Sequence, residues 1–159
     1  MIYILNINLV CVGKIKEKYI EEGIAEYIKR MKSYAQFKIV ELKEDGNDRE
    51  RERSKDIEGE EILKILSKNK GLNVLLAIEG KQYSTEDFTD VIVEKTNRGI
   101  STINFIVGGS YGVSEAVKEA SEIKLSFSKF TFPHQLMRLI FMEQIYRWFS
   151  IINNSKYHK

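Results

Sequence analysis

The sequence predicts an α/β domain, a mainly parallel sheet of about five to six strands with helices on both faces. Three observations carry that prediction. Strand-like apolar runs alternate with amphipathic helical stretches along the whole chain, the pattern of successive βα units. The run Leu-Asn-Val-Leu-Leu-Ala-Ile at 72–78 is almost continuously apolar, as a central parallel strand covered on both faces must be. Several runs also end in glycine, where the backbone can come close to a ligand and where open α/β sheets place their sites.

With 159 residues and 43% hydrophobic content, the chain suits one domain, residues 1–159, with one sizeable core. The first strand covers about residues 4–12. Its apolar run is broken by Asn6 and Asn8, lacks a basic leader and is too short to cross a bilayer, so it reads as a strand and not a membrane segment. Gly13 and Lys14 lead into a helix in which Ile20, Ile24, Tyr27, Ile28 and Met31 recur at helical spacing. A second strand spans 37–42. The mixed-charge stretch 43–53 has no apolar anchor and is expected to be a solvated loop or helix start. The next helix is expected to be anchored by Ile57, Ile62, Leu63, Ile65 and Leu66.

The strand at 72–78 is expected to end at Glu79 and Gly80. Ser84 then offers an N-cap to a helix that carries Phe88, Val91 and Ile92 and closes near Gly99. A strand at 102–107 runs into Gly108-Gly109-Ser110-Tyr111-Gly112, followed by a short helix at about 114–120 and a strand at 123–127. Pro133, the only proline, opens a last helix whose large apolar residues, from Leu136 and Met137 to Trp148 and Phe149, cover nearly its whole circumference. One face can lie on its own sheet. The opposite face is expected to meet a second copy, giving a two-fold homodimer through the C-terminal helix, because each exposed large side chain would forfeit roughly 1.5–3 kcal/mol; a central helix in a compact monomer is the alternative. Glu143 and Arg147, spaced i, i+4 in the favourable order, are expected to form an ion pair.

Composition narrows the chemistry. The balance of 25 basic against 23 acidic residues gives a net charge of +2, without the basic excess of a protein that grips naked RNA. Any RNA contact would be local, with Lys14, Lys16, Lys18, Lys129, Arg138, Lys156 and Lys159 as the candidate basic rim, although a plain solvated face explains the first three equally well. The lone Cys11 suits a reducing compartment, and the protein is expected to be cytoplasmic. The glycine segment at 108–112 is neither the G-x-G-x-x-G fingerprint nor a P-loop, and no zinc or nucleophilic-serine motif is present, so no metal is expected. Three strand exits, at 78–80, 107–109 and 127–131, remain as a place for an uncharged adenosine-like body held by backbone groups.

The segment 125–138 (Leu-Ser-Phe-Ser-Lys-Phe-Thr-Phe-Pro-His-Gln-Leu-Met-Arg), Glu143-Gln-Ile-Tyr-Arg147, the terminal Tyr157-His158-Lys159, Val12-Gly13-Lys14 and Gly108-Gly109-Ser110 together resemble the RlmH-type large-subunit rRNA methyltransferases of the SPOUT class. The resemblance spans essentially the full chain. It implies a trefoil-knotted C-terminal region, a homodimer, S-adenosylmethionine as cofactor, and methylation of N3 of a pseudouridine in 23S rRNA within the ribosome. It places the cofactor against Leu76, Gly108, Phe127, Ser128, Lys129, Phe130, Thr131 and Phe132. His158 becomes the candidate for proton handling, Tyr157 for holding the base, and Arg138 with Lys159 for holding phosphate. His134 reads as a capping or packing residue. Cys11 stands where alanine is usual, Lys156 where proline commonly precedes Tyr-His-Lys, and Trp148 where a small residue is usual, with an expected effect on dimer packing. Two other readings stay open: a SPOUT enzyme acting on another RNA such as tRNA, and a non-enzymatic nucleoside-binding dimer associated with ribosomes.

Overall fold

The computed structural model describes residues 4–154 and 157; Lys156, His158 and Lys159 lie outside the described residues. Five strands, β1 (Leu5–Val12), β2 (Ala35–Leu42), β3 (Leu72–Gln82), β4 (Thr102–Val107) and β5 (Ile123–Ser126), form one wholly parallel sheet in the order β2-β1-β4-β3-β5. Between them run α1 (Lys18–Met31), α2 (Arg51–Lys68), α3 (Thr85–Asn97) and α4 (Glu115–Glu119), with α5 (His134–Ile152) at the end. Parallel neighbours need crossovers, and α1 to α4 each lie in one.

Side-chain alternation sorts the core into two layers. Ile7, Leu9, Val74, Ile103 and Phe105 face α1, α3 and α5, while Val10, Leu75 and Ile106 face Ile62 and Leu66 of α2 and Val117 of α4. At the amino-terminal ends of the central strands the second layer turns polar. Asn8 Nδ2 donates to Asn104 Oδ1 (2.9 Å), and Asn104 Nδ2 donates to Asn73 Oδ1 (2.9 Å) and to the Asn69 carbonyl (2.6 Å), across a register that pairs Asn8 with Asn104 and Asn104 with Asn73. Asn104 has no exposed surface.

Three expectations need correction. β3 does not stop at Glu79: Leu76 and Lys81 both pair with Leu125, so residues 77–80 bulge out and the strand resumes. On α2 the buried row is Ser54, Glu58, Ile62 and Leu66, and Ile57 is exposed; the i, i+4 row was hidden because two of its members are polar. On α5, Trp148 belongs to the protomer's own core, with its ring 4.6 Å from Phe88 and 5.9 Å from Phe105, and so does not reach a dimer face.

α5 lies on the sheet between α1 and α3, and that arrangement covers more of its circumference than the helical wheel alone suggested. Phe141, Met142, Ile145 and Phe149 are buried, and none of its large apolar residues is fully exposed. Ile140 and Ile151 remain half-buried outside the core, while Leu136, also half-buried, packs against it. Elsewhere the expected signals hold: Ser84 Oγ accepts from Asp87 N (3.0 Å), and Gly99 closes α3 with φ +99°. No helix among the described residues is long and apolar enough to cross a membrane.

Candidate functional site

The carboxyl ends of β3, β4 and β5 converge on a cavity of about 450 Å³, within the range of about 300–1,000 Å³ that small-molecule sites occupy. Its walls are the β3 bulge, the glycine loop after β4, the segment after β5 and the first turn of α5. Each wall has a local cause. The bulge carries Ala77, Ile78 and Glu79 to the mouth, and Ile78 is left exposed. In the glycine loop, Gly112 N donates to the Gly109 carbonyl (3.0 Å), and the turn needs φ +87° at Gly112, a value that glycine adopts without strain. After β5, Ser126 Oγ donates to the Ser128 carbonyl (3.2 Å) and Phe130 N donates to Ser128 Oγ (3.0 Å), a serine turn that leaves the Phe130 ring 78% exposed at the rim.

Of the residues expected here, Leu76, Gly108, Phe127 and Ser128 line the cavity, as do Phe130, Thr131 and Phe132. Lys129 does not: it is exposed within the serine turn and lies outside the cavity's lining. Gly108 differs from expectation in one respect. A Cβ there would lie 2.6 Å from Val113 Cγ1 and 3.2 Å from the Gly112 carbonyl, so its missing side chain makes room for the protein's own loop, while its backbone lines the cavity. Polar side chains share the wall with the apolar ones, among them Lys55, Ser110, Tyr111 and Thr131. Glu79 pairs with Lys118 at 3.7 Å, and His134 stands exposed at the edge.

The structure does not bring Arg138 or Tyr157 to this cavity. Arg138 is 3% exposed; its Nη2 donates to the carbonyls of Val12 (2.7 Å) and Gly13 (2.9 Å), and its Nη1 lies 3.4 Å from Glu41 Oε2. These bonds tie α5 to the end of β1, beside a separate hollow of about 270 Å³ under α1, while its Nε is buried without a partner; held there, Arg138 does not reach the cavity, which corrects the expectation that it holds phosphate. Tyr157 folds onto the outer side of α5. Its hydroxyl donates to Glu143 Oε1 (3.0 Å), the same oxygen that accepts from Arg147 Nε (2.7 Å), and the Arg147 guanidinium lies 5.0 Å over its ring. Burial, aided by the Glu143 carboxylate, pushes the Tyr157 phenol up to about 12. The Glu143–Arg147 pair is the expected one.

Sequence reasoning missed the acidic support under the glycine loop. Glu44 Oε1 accepts from both Ser110 N (3.2 Å) and Ser110 Oγ (2.8 Å), and these bonds, the hydroxyl's foremost, hold its carboxyl below the usual range. Glu58, 5% exposed, accepts from Asp45 N (2.9 Å) and is pushed upward by burial. Both acids sit in or beside the stretch that mixed charge marked as solvated. Lys16 N and Glu17 N donate to Gln135 Oε1 (2.7 and 3.2 Å), which brings the lysine-bearing β1–α1 connection to the first turn of α5, beside the cavity.

The family model described as "Predicted SPOUT methyltransferase" matches residues 5–158. The chain belongs to this SPOUT methyltransferase family. It is 54% identical over 155 residues to the ribosomal RNA large subunit methyltransferase H of Fusobacterium nucleatum, a match that covers 98% of this chain and 100% of that one. To the protein of the same name from Streptococcus uberis it is 46% identical over 162 residues, with the same coverage of both. Among solved structures, a probable methylase family protein from Haemophilus influenzae aligns over 100% of this chain and 72% of its own with a TM-score of 0.56 at 13% identity, a likeness of fold. SPOUT methyltransferases use S-adenosylmethionine, and the cavity suits it: apolar walls at Leu76, Ile78 and Phe130 match a nucleoside face, and three strand ends offer main-chain groups.

Proposed function

We propose that this protein transfers a methyl group from S-adenosylmethionine to the RNA of the large ribosomal subunit, at N3 of a pseudouridine in 23S rRNA, as a cytoplasmic homodimer. The full-length likeness to methyltransferases so named, together with a cavity at the carboxyl ends of β3, β4 and β5, carries this reading. A trefoil-knotted C-terminal region belongs with this reading.

The cofactor, when bound, supplies a methyl group on a sulfonium, an electrophilic carbon. The 127–132 segment and the backbone of Gly108 would hold it, and much of the acceleration would come from positioning. The imide must lose its proton, a role proposed for His158, and Tyr157 would hold the base. Arg138 would act by fixing the first turn of α5, not by touching RNA. Tyr157 stands beside Glu143 and Arg147 on the outer side of α5, away from its own cavity, which supports a site completed by the partner copy. The half-buried Ile140 and Ile151, outside the protomer's core, belong to the face such a dimer would use.

The test incubates the protein and labelled S-adenosylmethionine with ribosomes, isolated tRNA or neither, and maps the label by mass. Label on 23S rRNA alone is expected. Label on tRNA in its place, or binding without transfer, would replace this reading by one of its two rivals.

A further inference from the structure

The first half of the buried side of α2, Ser54 and Glu58, is polar where a helix packed on a sheet is usually apolar, and both residues bond to one short segment. Ser54 Oγ, with one proton to give, lies 2.6 Å from Asp45 Oδ2 and 3.0 Å from the Asp45 carbonyl, and Glu58 Oε2 accepts from Asp45 N (2.9 Å). Glu58 also fills the space behind the glycine loop: a Cβ on Gly109 would come within 3.0 Å of its Oε1. Next to Asp45, Glu44 takes both donors of Ser110 on one oxygen. Two sets of hydrogen bonds, joined by the peptide bond between Glu44 and Asp45, thus link the helix to the loop that forms one wall of the cavity.

Ser110 lines the cavity, yet its amide and hydroxyl are both committed to Glu44. A residue so engaged holds the wall in place and leaves its donors unavailable to a ligand. We propose that Glu44 is a positioning residue for the cofactor wall, acting through Ser110 on the backbone of 108–112. This rests on the proposed function, because the ligand whose binding it would tune is S-adenosylmethionine.

The test compares the full-length parent with Glu44→Ala, Ser110→Ala, the double variant and Glu44→Gln. Two readouts are taken: cofactor affinity by calorimetry and amide exchange across 108–113 without ligand. Each alanine variant is expected to weaken the cofactor about three- to tenfold, the scale of a solvent-facing charged hydrogen bond, and to speed exchange in the loop. The double variant should be no worse than either single one, because both remove the same link. Glu44→Gln, which keeps the accepting oxygen, should restore most of both. Parent-like affinity and exchange in Glu44→Ala would overturn the proposal, as would additive losses in the double variant. A parent with no cofactor affinity would refute the functional reading instead, and the exchange data would still decide whether Glu44 holds the loop.

Discussion

Alanine at Gly108 separates two accounts of the glycine loop. If this position is glycine to admit a ligand, the added methyl enters the cavity, the fold is unaffected and cofactor binding is lost. The geometry requires another outcome. The methyl would stand 2.6 Å from Val113 Cγ1, closer than Cβ atoms come in proteins, and 3.2 Å from the Gly112 carbonyl. Val113 is 8% exposed and belongs to the layer under α2 and α4, so it has little room to retreat. Overpacking of that kind costs about 1–3 kcal/mol. For a chain of this size each kcal/mol lowers Tm by about 2–4 °C, so Gly108→Ala should melt roughly 2–12 °C below the parent. Gly112→Ala is the control. It meets no atom within 4 Å and suffers only the backbone cost of φ +87°, about 1–2 kcal/mol. Differential scanning calorimetry with and without S-adenosylmethionine reads both quantities. A Gly108→Ala protein that melts like the parent but no longer binds the cofactor would refute this reasoning.

Arg138→Met keeps the apolar stem but strips the donors from the carbonyls of Val12 and Gly13. Urea titration should show a loss of about 2–5 kcal/mol, and unchanged stability would dismiss its anchoring role. Glu58 and Glu44 should pull the pH dependence of stability in opposite directions. Glu58, raised by burial, contributes stability that is full below the ordinary value of 4.5 and lost as pH rises through its folded value, so Glu58→Gln should flatten that fall on the alkaline side of 4.5. Glu44, lowered by Ser110, contributes stability that is present above 4.5 and lost as pH falls through its folded value; urea midpoints across pH 3–7 for the two Gln variants would check both signs.

Where the chain obeys a simple period, it could be read directly. β4 lies at the residues its apolar run marked, Ser84 caps α3, and Glu143 finds Arg147, because each depends on neighbours within one turn or one strand. The cavity was also legible in outline, since glycines at strand ends and the 125–132 segment are local signals. What escaped depends on partners distant in sequence. Glu44 reaches Ser110 across 66 positions, and nothing in a mixed-charge stretch marks which acid will be bound. Ile57 and Ile62 look alike in sequence, yet the polar row Ser54 and Glu58 turns the helix so that only Ile62 is buried. The β3 bulge has no period at all. It exists because Leu125 is met twice by one strand.

The three linked asparagines give the sheet a keyed alignment. Sliding β1 or β3 by one position against β4 would send an amide to the opposite side, among Ile7, Val74 and Phe105, and strand its hydrogen-bonding groups in hydrocarbon. A purely aliphatic interior would tolerate such a slip far better. Because Asn104 and Gly108 share one strand and its exit, about 13 Å apart at 3.3 Å per residue, that check at one end fixes how the strand ends meet at the other. The shape of the ligand chamber is in this sense decided at the far side of the sheet, by groups that no ligand ever touches.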